Sequence, residues 1–143
     1  MIEVQEVDEI SDDVVEAFHR LIPQLSATSA VPTADQLRQM AVSDATVLFI
    51  ARRDGIIVGL LTLVVVRIPT GLRARIEDVV VDEAARGQGI GAHLSRAAIE
   101  RAAAQGVRTV DLTSRPTRTA ANRLYESLGF HERETRVYRY NLH

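Results

Sequence analysis

One stretch constrains the fold more than any other: Val79 to Ala92, which reads VVVDEAARGQGIGA. A β-branched run, Ile76 to Val81, leads through a short polar link into Arg86-Gly87-Gln88-Gly89-Ile90-Gly91-Ala92. From Ile90 the apolar residues recur at helical spacing, through Leu94, Ala97 and Ala98. A strand therefore feeds a glycine-rich turn, and the turn opens a helix. The first N–H groups of a helix have no internal partner and lie at the positive end of its dipole. Glycines let an anion approach that backbone without meeting a Cβ, so the stretch can cradle a phosphate or pyrophosphate.

Two patterns can be laid on it. Gly87, Gly89 and Ala92 fit the dinucleotide fingerprint G-x-G-x-x-G/A, with Asp111 at roughly the spacing of a ribose-binding acid. Arg86, Gly89 and Gly91 fit another, R/Q-x-x-G-x-G/A. Either could equally be a tight strand-to-helix turn, so the rest of the chain must arbitrate.

A chain of 143 residues can bury a real core, and we expect residues 1–143 to form a single domain. Hydrophobic residues make up 46% and charged residues 25%, ordinary for a soluble globular domain. A net charge of −2 gives no electrostatic reason to expect nucleic acid. The longest apolar run, Ile56 to Val66, is too short for a membrane helix, and no signal peptide is evident, so a cytoplasmic location is expected. The absence of cysteine excludes disulfides, thiolate metal sites and a cysteine acyl-enzyme. The four histidines show no metal-ligand spacing. All 17 basic side chains counted as Lys+Arg are arginine.

In chain order, Ile2 to Val7 alternates as a strand. Ser11 is placed to cap a helix that Pro23 should end, and Thr33 with Gln36 forms a capping box for a second. Thr46–Arg52 and Ile56–Arg67 read as a hairpin around Asp54-Gly55, and Arg73–Val81 as the next antiparallel strand. The glycine loop opens a helix to about Gln105, with Gly106 just past its end. Val107–Thr113 then returns as a strand parallel to its predecessor. A short helix runs to Leu128, with Ala121, Leu124 and Leu128 expected toward the core. Gly129 caps it, and His131–Glu134 and Val137–Leu142 are expected as two closing strands.

This order does not suit a dinucleotide fold, whose fingerprint begins a series of βαβ units; here it comes after an antiparallel meander. A P-loop is excluded because no Gly-Lys-Ser/Thr occurs. Nearly the whole chain instead resembles the GNAT superfamily of N-acetyltransferases, on three ordered signals. They are Ile76-Glu77-Asp78-Val79-Val80-Val81, the Arg86–Ala92 loop, and Asn122-Arg123-Leu124-Tyr125-Glu126-Ser127-Leu128-Gly129-Phe130. The resemblance implies an α/β GNAT-like fold, a mixed central sheet with helices on both faces.

It further implies acetyl-coenzyme A as cosubstrate, held by the backbone of Val79, Val80 and Val81, by the loop Arg86, Gly87, Gln88, Gly89, Ile90, Gly91 and Ala92, and by Asn122 and Tyr125. Phe18 to Met40 would line the acceptor side. Arg115 and Arg118 are weaker candidates for the coenzyme's 3′-phosphate. The chemistry implied is transfer of acetyl to a primary amine of a small molecule or peptide. Without a cysteine or a Gly-x-Ser-x-Gly elbow, direct transfer in a ternary complex is the consistent route.

Tyr125 is the candidate acid, since a phenol near pKa 10 can still protonate a thiolate whose conjugate acid lies near 8.5. Its bland alternative is a packing residue. Glu77 is the preferred base and Asp78 the second, with a cross-strand partner for Arg73 or Arg75 as the ordinary reading of either. Two other classes stay open: an acetyl-coenzyme A-binding module without turnover, and a nucleotide-binding domain. A homodimer is also left open.

Overall fold

The computed structural model describes residues 1–143, and the chain divides into two compact units, Met1–Thr113 and Ser114–His143. The first unit is built on a five-stranded sheet of order β1-β2-β3-β4-β5: β1 Ile2–Glu6, β2 Thr46–Arg53, β3 Ile56–Ile68, β4 Gly71–Val81 and β5 Val110–Asp111. The first four strands are antiparallel neighbours, and β5 lies parallel to β4. Helices α1 (Asp12–Leu25) and α2 (Ala34–Val42) connect β1 to β2, and α3 (Ile90–Ala104) crosses from β4 to β5. No helix is long and apolar enough to cross a membrane.

Register assigns the two faces. Ile50 pairs with Leu60 and Leu60 with Val80, so these residues share one face. They join Val14, Phe18, Leu21 and Ile22 of α1 and Leu37 of α2 in a single buried cluster. The opposite face carries Ala51, Gly59 and Val81, paired in the same way. There α3 presses against the sheet so closely that a Cβ on Gly59 would stand 2.9 Å from Ile90 Cγ2 and 3.0 Å from Leu94 Cδ1. Helices thus cover both faces, as expected.

Local chemistry explains most element ends. Thr33 accepts the Gln36 N–H at 3.1 Å while the Gln36 side chain accepts the Thr33 N–H at 2.9 Å, a complete capping box. Asp54 and Gly55, at φ 53° and 82°, make the primed turn that a two-residue hairpin needs. Gly106, at φ 81°, closes α3: its N–H meets the Ala103 carbonyl at 3.0 Å and the Val107 N–H meets that of Ala102 at 3.1 Å.

Four expectations need correction. Ser11 stands at the N-cap of α1, but its hydroxyl bonds the Asp13 carboxylate rather than a helix N–H. Pro23 lies inside α1 instead of ending it; only two residues of helix follow, and the Ser26 N–H still reaches the Ile22 carbonyl at 2.9 Å. The strand expected over Val107–Thr113 is reduced to Val110–Asp111, because only Ala74 and Arg75 of β4 pair with it. His131–Glu134 and Val137–Leu142 form no strands: neither finds a pairing partner, and Val137, Tyr138, Tyr140 and Leu142 are exposed.

In the second unit, α4 (Thr119–Ser127) buries Tyr125, while Ala121, Leu124 and Leu128 are half-buried. Gly129 at φ 102° closes this helix, with the Phe130 N–H on the Tyr125 carbonyl at 3.0 Å.

The Gly59 contact yields a test. Gly59→Ala should lower stability by about 1–3 kcal/mol, since the neighbours are packed side chains with little room to give. Combined with Ile90→Ala, the loss in urea denaturation should be smaller than the sum of the two single losses, because both act on one contact. Additive losses would show that α3 does not meet β3 there.

Candidate active site

The site in the first unit begins with a defect in β4. Leu60 pairs with Val80 and Thr62 with Glu77, so Leu61 faces two residues, Asp78 and Val79. That is a β-bulge. Asp78 takes it up at φ 51°, a left-handed conformation that short polar side chains such as aspartate tolerate better than most. On its other edge β4 pairs with β5 only through Ala74 and Arg75. From Ile76 to Val81 that edge of the strand has no ladder partner. Pairing with β5 thus ends three residues before the bulge, and the main-chain groups of Val79 and Val81 lie on the unpartnered edge, while Val80 pairs with Leu60 of β3.

Glu77 and Asp78 are placed differently by this geometry. Glu77 pairs with Thr62, on the face that carries α1 and α2. Its carboxylate lies 3.4 Å from Arg75 two residues earlier, so its basic neighbour is on its own strand rather than across the sheet. Asp78 sits in the bulge. Partial loss of water around its carboxyl, reinforced by the Glu77 charge, raises its pKa above the ordinary 3.8.

Beyond β4, Asp82 opens a single 3₁₀ turn, Glu83–Ala85, and Ala85 is fully buried. Arg86, Gly87, Gln88 and Gly89 are exposed, and Ile90 is buried again. The loop is therefore anchored at both ends and open between them. Gly87 and Gly89 adopt φ 79° and 78°; Gly87 has nothing within 4 Å of a Cβ, and Gly89 only His93 at 4.0 Å. Both glycines are demanded by backbone conformation, and the space in front of them is free. The His93 N–H is the first of α3 to find a carbonyl, that of Gly89, at 3.1 Å; the N–H groups from Gly89 to Ala92 have no main-chain acceptor. The residues fit an anion of pyrophosphate type.

One neighbour of this loop was not foreseen. Arg53, at the end of β2, donates to the Gln88 side chain and brings a guanidinium beside the glycines. It is 35 residues away in sequence, and no local pattern announces it.

The second unit holds the other two candidates. Tyr125 is 8% exposed, with its ring edge-on to Phe130 at 5.8 Å. Burial raises its pKa above 10.0, against an opposing pull from the Arg118 charge, so the phenol keeps its proton through the neutral range. Asn122 spends its amide on the Arg115 carbonyl at 3.1 Å, which leaves its oxygen as the atom free to accept.

No curated protein matches the chain. A transcriptional regulator from Bacillus halodurans C-125 is 27% identical, with TM-score 0.81 over 99% of this chain and 100% of that one. An aminoglycoside acetyltransferase from an uncultured soil metagenomic sample is 22% identical, with TM-score 0.82 over 99% and 97%. Glucosamine-6-phosphate N-acetyltransferase from Arabidopsis thaliana is 21% identical, with TM-score 0.81 over 98% of each chain. The last two show likeness of fold. The acetyltransferase (GNAT) family matches residues 10–130, and the chain belongs to that family.

Proposed function

We propose that this acetyltransferase moves an acetyl group from acetyl-coenzyme A to a primary amine of a small molecule, by direct transfer in a ternary complex, with residues 1–143 working as one domain. The observation that carries the reading is the pairing of an open glycine cradle at the start of α3 with a β4 edge that loses its partner beyond Arg75. The family match runs across both units, which supports their acting together. The small-molecule acceptor rests on two fold neighbours, one named for aminoglycosides and one for glucosamine 6-phosphate. A peptide amine is the second acceptor class.

Acetyl-coenzyme A supplies the activated thioester. The N–H groups from Gly87 to Ala92 hold its pyrophosphate, and the free edge of Val79–Val81 aligns the pantetheine and polarises the thioester carbonyl. Glu77, on the sheet face shared with α1 and α2, takes the proton of the incoming ammonium, directly or through water. Tyr125 returns a proton to the departing thiolate, and the Asn122 oxygen accepts from the coenzyme. The experiment that tests the function is release of free thiol from acetyl-coenzyme A over a panel of amino sugars, aminoglycosides, polyamines, amino acids and peptides. Turnover with at least one amine is expected. Tight coenzyme binding with no turnover across the panel would leave a binding module, and melting stabilised by NAD but not coenzyme A would make it a nucleotide-binding domain.

Tyr125→Phe deletes one oxygen and keeps the ring against Phe130, so folding should survive. Turnover should fall by about a hundredfold while the Michaelis constant for acetyl-coenzyme A barely moves. Wild-type turnover, measured where chemistry limits the rate, would reduce Tyr125 to packing.

The two carboxylates separate by pH. Glu77→Gln should lose most turnover at low pH, where free amine is scarce. An unchanged pH–rate profile would remove Glu77 as base. Asp78 has a raised folded-state pKa, so ionising it opposes folding: the associated stability is present below about pH 3.8 and is lost as pH rises through the folded value. Asp78→Asn keeps a residue tolerated at φ 51° and removes the charge. It should be more stable than wild type at pH 7, with the gain vanishing near pH 3.5, read from urea midpoints at the two pH values. A pH-independent difference would contradict the assignment.

A further inference from the structure

A polar clamp joins α1 to the segment just ahead of the glycine loop. Glu16, Arg20 and Gln24 follow one another at four-residue spacing and so form one stripe of α1. Arg20 Nη1 donates to Asp82 Oδ2 at 2.9 Å, Nη2 to the Ile57 carbonyl at 3.0 Å, and Nε to the Glu16 carboxylate at 2.9 Å. Gln24 bridges in both directions: its amide donates to Asp82 Oδ1 at 3.4 Å, and its carbonyl accepts the Glu83 N–H at 2.9 Å. Asp82 Oδ1 also accepts the Ala84 N–H at 3.2 Å, and the Asp82 N–H reaches the Val58 carbonyl at 2.8 Å.

The segment Asp82–Ala84 is thus tied to α1 and to β3 by side chains and main chain together. Arg86 and the two left-handed glycines follow within a few residues. Burial of the Asp82 carboxyl alone would raise its pKa, but the Ala84 N–H, the Gln24 amide and the Arg20 guanidinium outweigh that and hold it below 3.8. The clamp therefore stays charged throughout the working range of pH.

A loop whose N–H groups must converge on an anion loses backbone freedom when it binds. Fixing the entry to the loop beforehand removes part of that loss. We propose that Arg20 and Gln24 are positioning residues for the coenzyme: acting through Asp82 and Glu83, they hold the glycine loop in its pyrophosphate-binding shape. This rests on the assignment of the loop to acetyl-coenzyme A. The ordinary alternative is an ion pair that only steadies α1 against the sheet.

Gln24→Met keeps the length of the side chain and removes both bridges; Arg20→Gln removes the ion pair, and Arg20→Lys restores the charge without the fork. Coenzyme A binding by titration calorimetry should weaken by about tenfold in Gln24→Met, and at least as much in Arg20→Gln, with partial recovery in Arg20→Lys. The Michaelis constant for acetyl-coenzyme A should rise by a similar factor.

The decisive arm uses acetyl-pantetheine, which lacks the pyrophosphate. The ratio of kcat/KM for acetyl-coenzyme A to that for acetyl-pantetheine should fall about tenfold in Gln24→Met relative to wild type. Equal coenzyme affinity in wild type and a folded Gln24→Met, or equal losses with both thioesters, would overturn the proposal and leave a stabilising contact. If Arg20→Gln does not fold, Gln24→Met decides alone. A wild-type protein that binds no coenzyme A would instead overturn the loop assignment, and this inference with it.

Discussion

The structure depends on a hydrogen-bond ladder that stops. A strand buried between two neighbours would normally bond on both edges, and an unpaired buried peptide group is costly. Here β4 keeps its antiparallel partner along most of its length but loses β5 after Arg75. The bulge at Asp78 and Val79 falls in the same region, so the strand changes course where it loses its partner. What would be a defect in a purely structural sheet becomes a row of main-chain groups with directional bonding capacity and no protein to satisfy it. The glycine loop continues the same logic a few residues later, exchanging an unpaired strand edge for an unpaired helix start.

Everything around this gap holds it in place. On one side α3 lies close over Gly59, and on the other α1 and α2 seal the Leu48, Ile50 and Leu60 face. The loop is held at both ends, because Ala85 and Ile90 are buried on either side of it. Open backbone is thus presented by a rigid frame, which is the arrangement that makes hydrogen-bond donors effective toward a charge.

How much of this was legible follows from what each feature depends on. The capping box of α2, the Asp54-Gly55 turn and the two glycine-closed helices are written in a few adjacent residues, and they formed where expected. The glycine loop was legible because a strand-to-helix turn leaves both a periodicity change and a composition change. Strand lengths were not, since alternation says only that a segment could join a sheet. Val107–Thr113 is rich in β-branched residues, yet just two of its residues find a partner, and Val137–Leu142 finds none. Pro23 signals a stop because its ring has no N–H to give the His19 carbonyl, yet the helix runs two residues past it before ending. Contacts such as Arg20 with Asp82, 62 residues apart, and Arg53 with Gln88 depend on the finished fold and leave no local trace.

The unbonded N–H groups at the start of α3 also set a kinetic pattern. Amide protons exchange with solvent at a rate governed by how well each is held, and those from Gly89 to Ala92 have no main-chain acceptor. Just outside them, Val80 is locked in the β3–β4 ladder and Leu94 lies buried within α3. The chain therefore carries a narrow, fast-exchanging window between two slow ones, in a segment whose backbone is nonetheless well anchored. Deuterium uptake would register that window as mobility, although its origin is bonding capacity held in reserve.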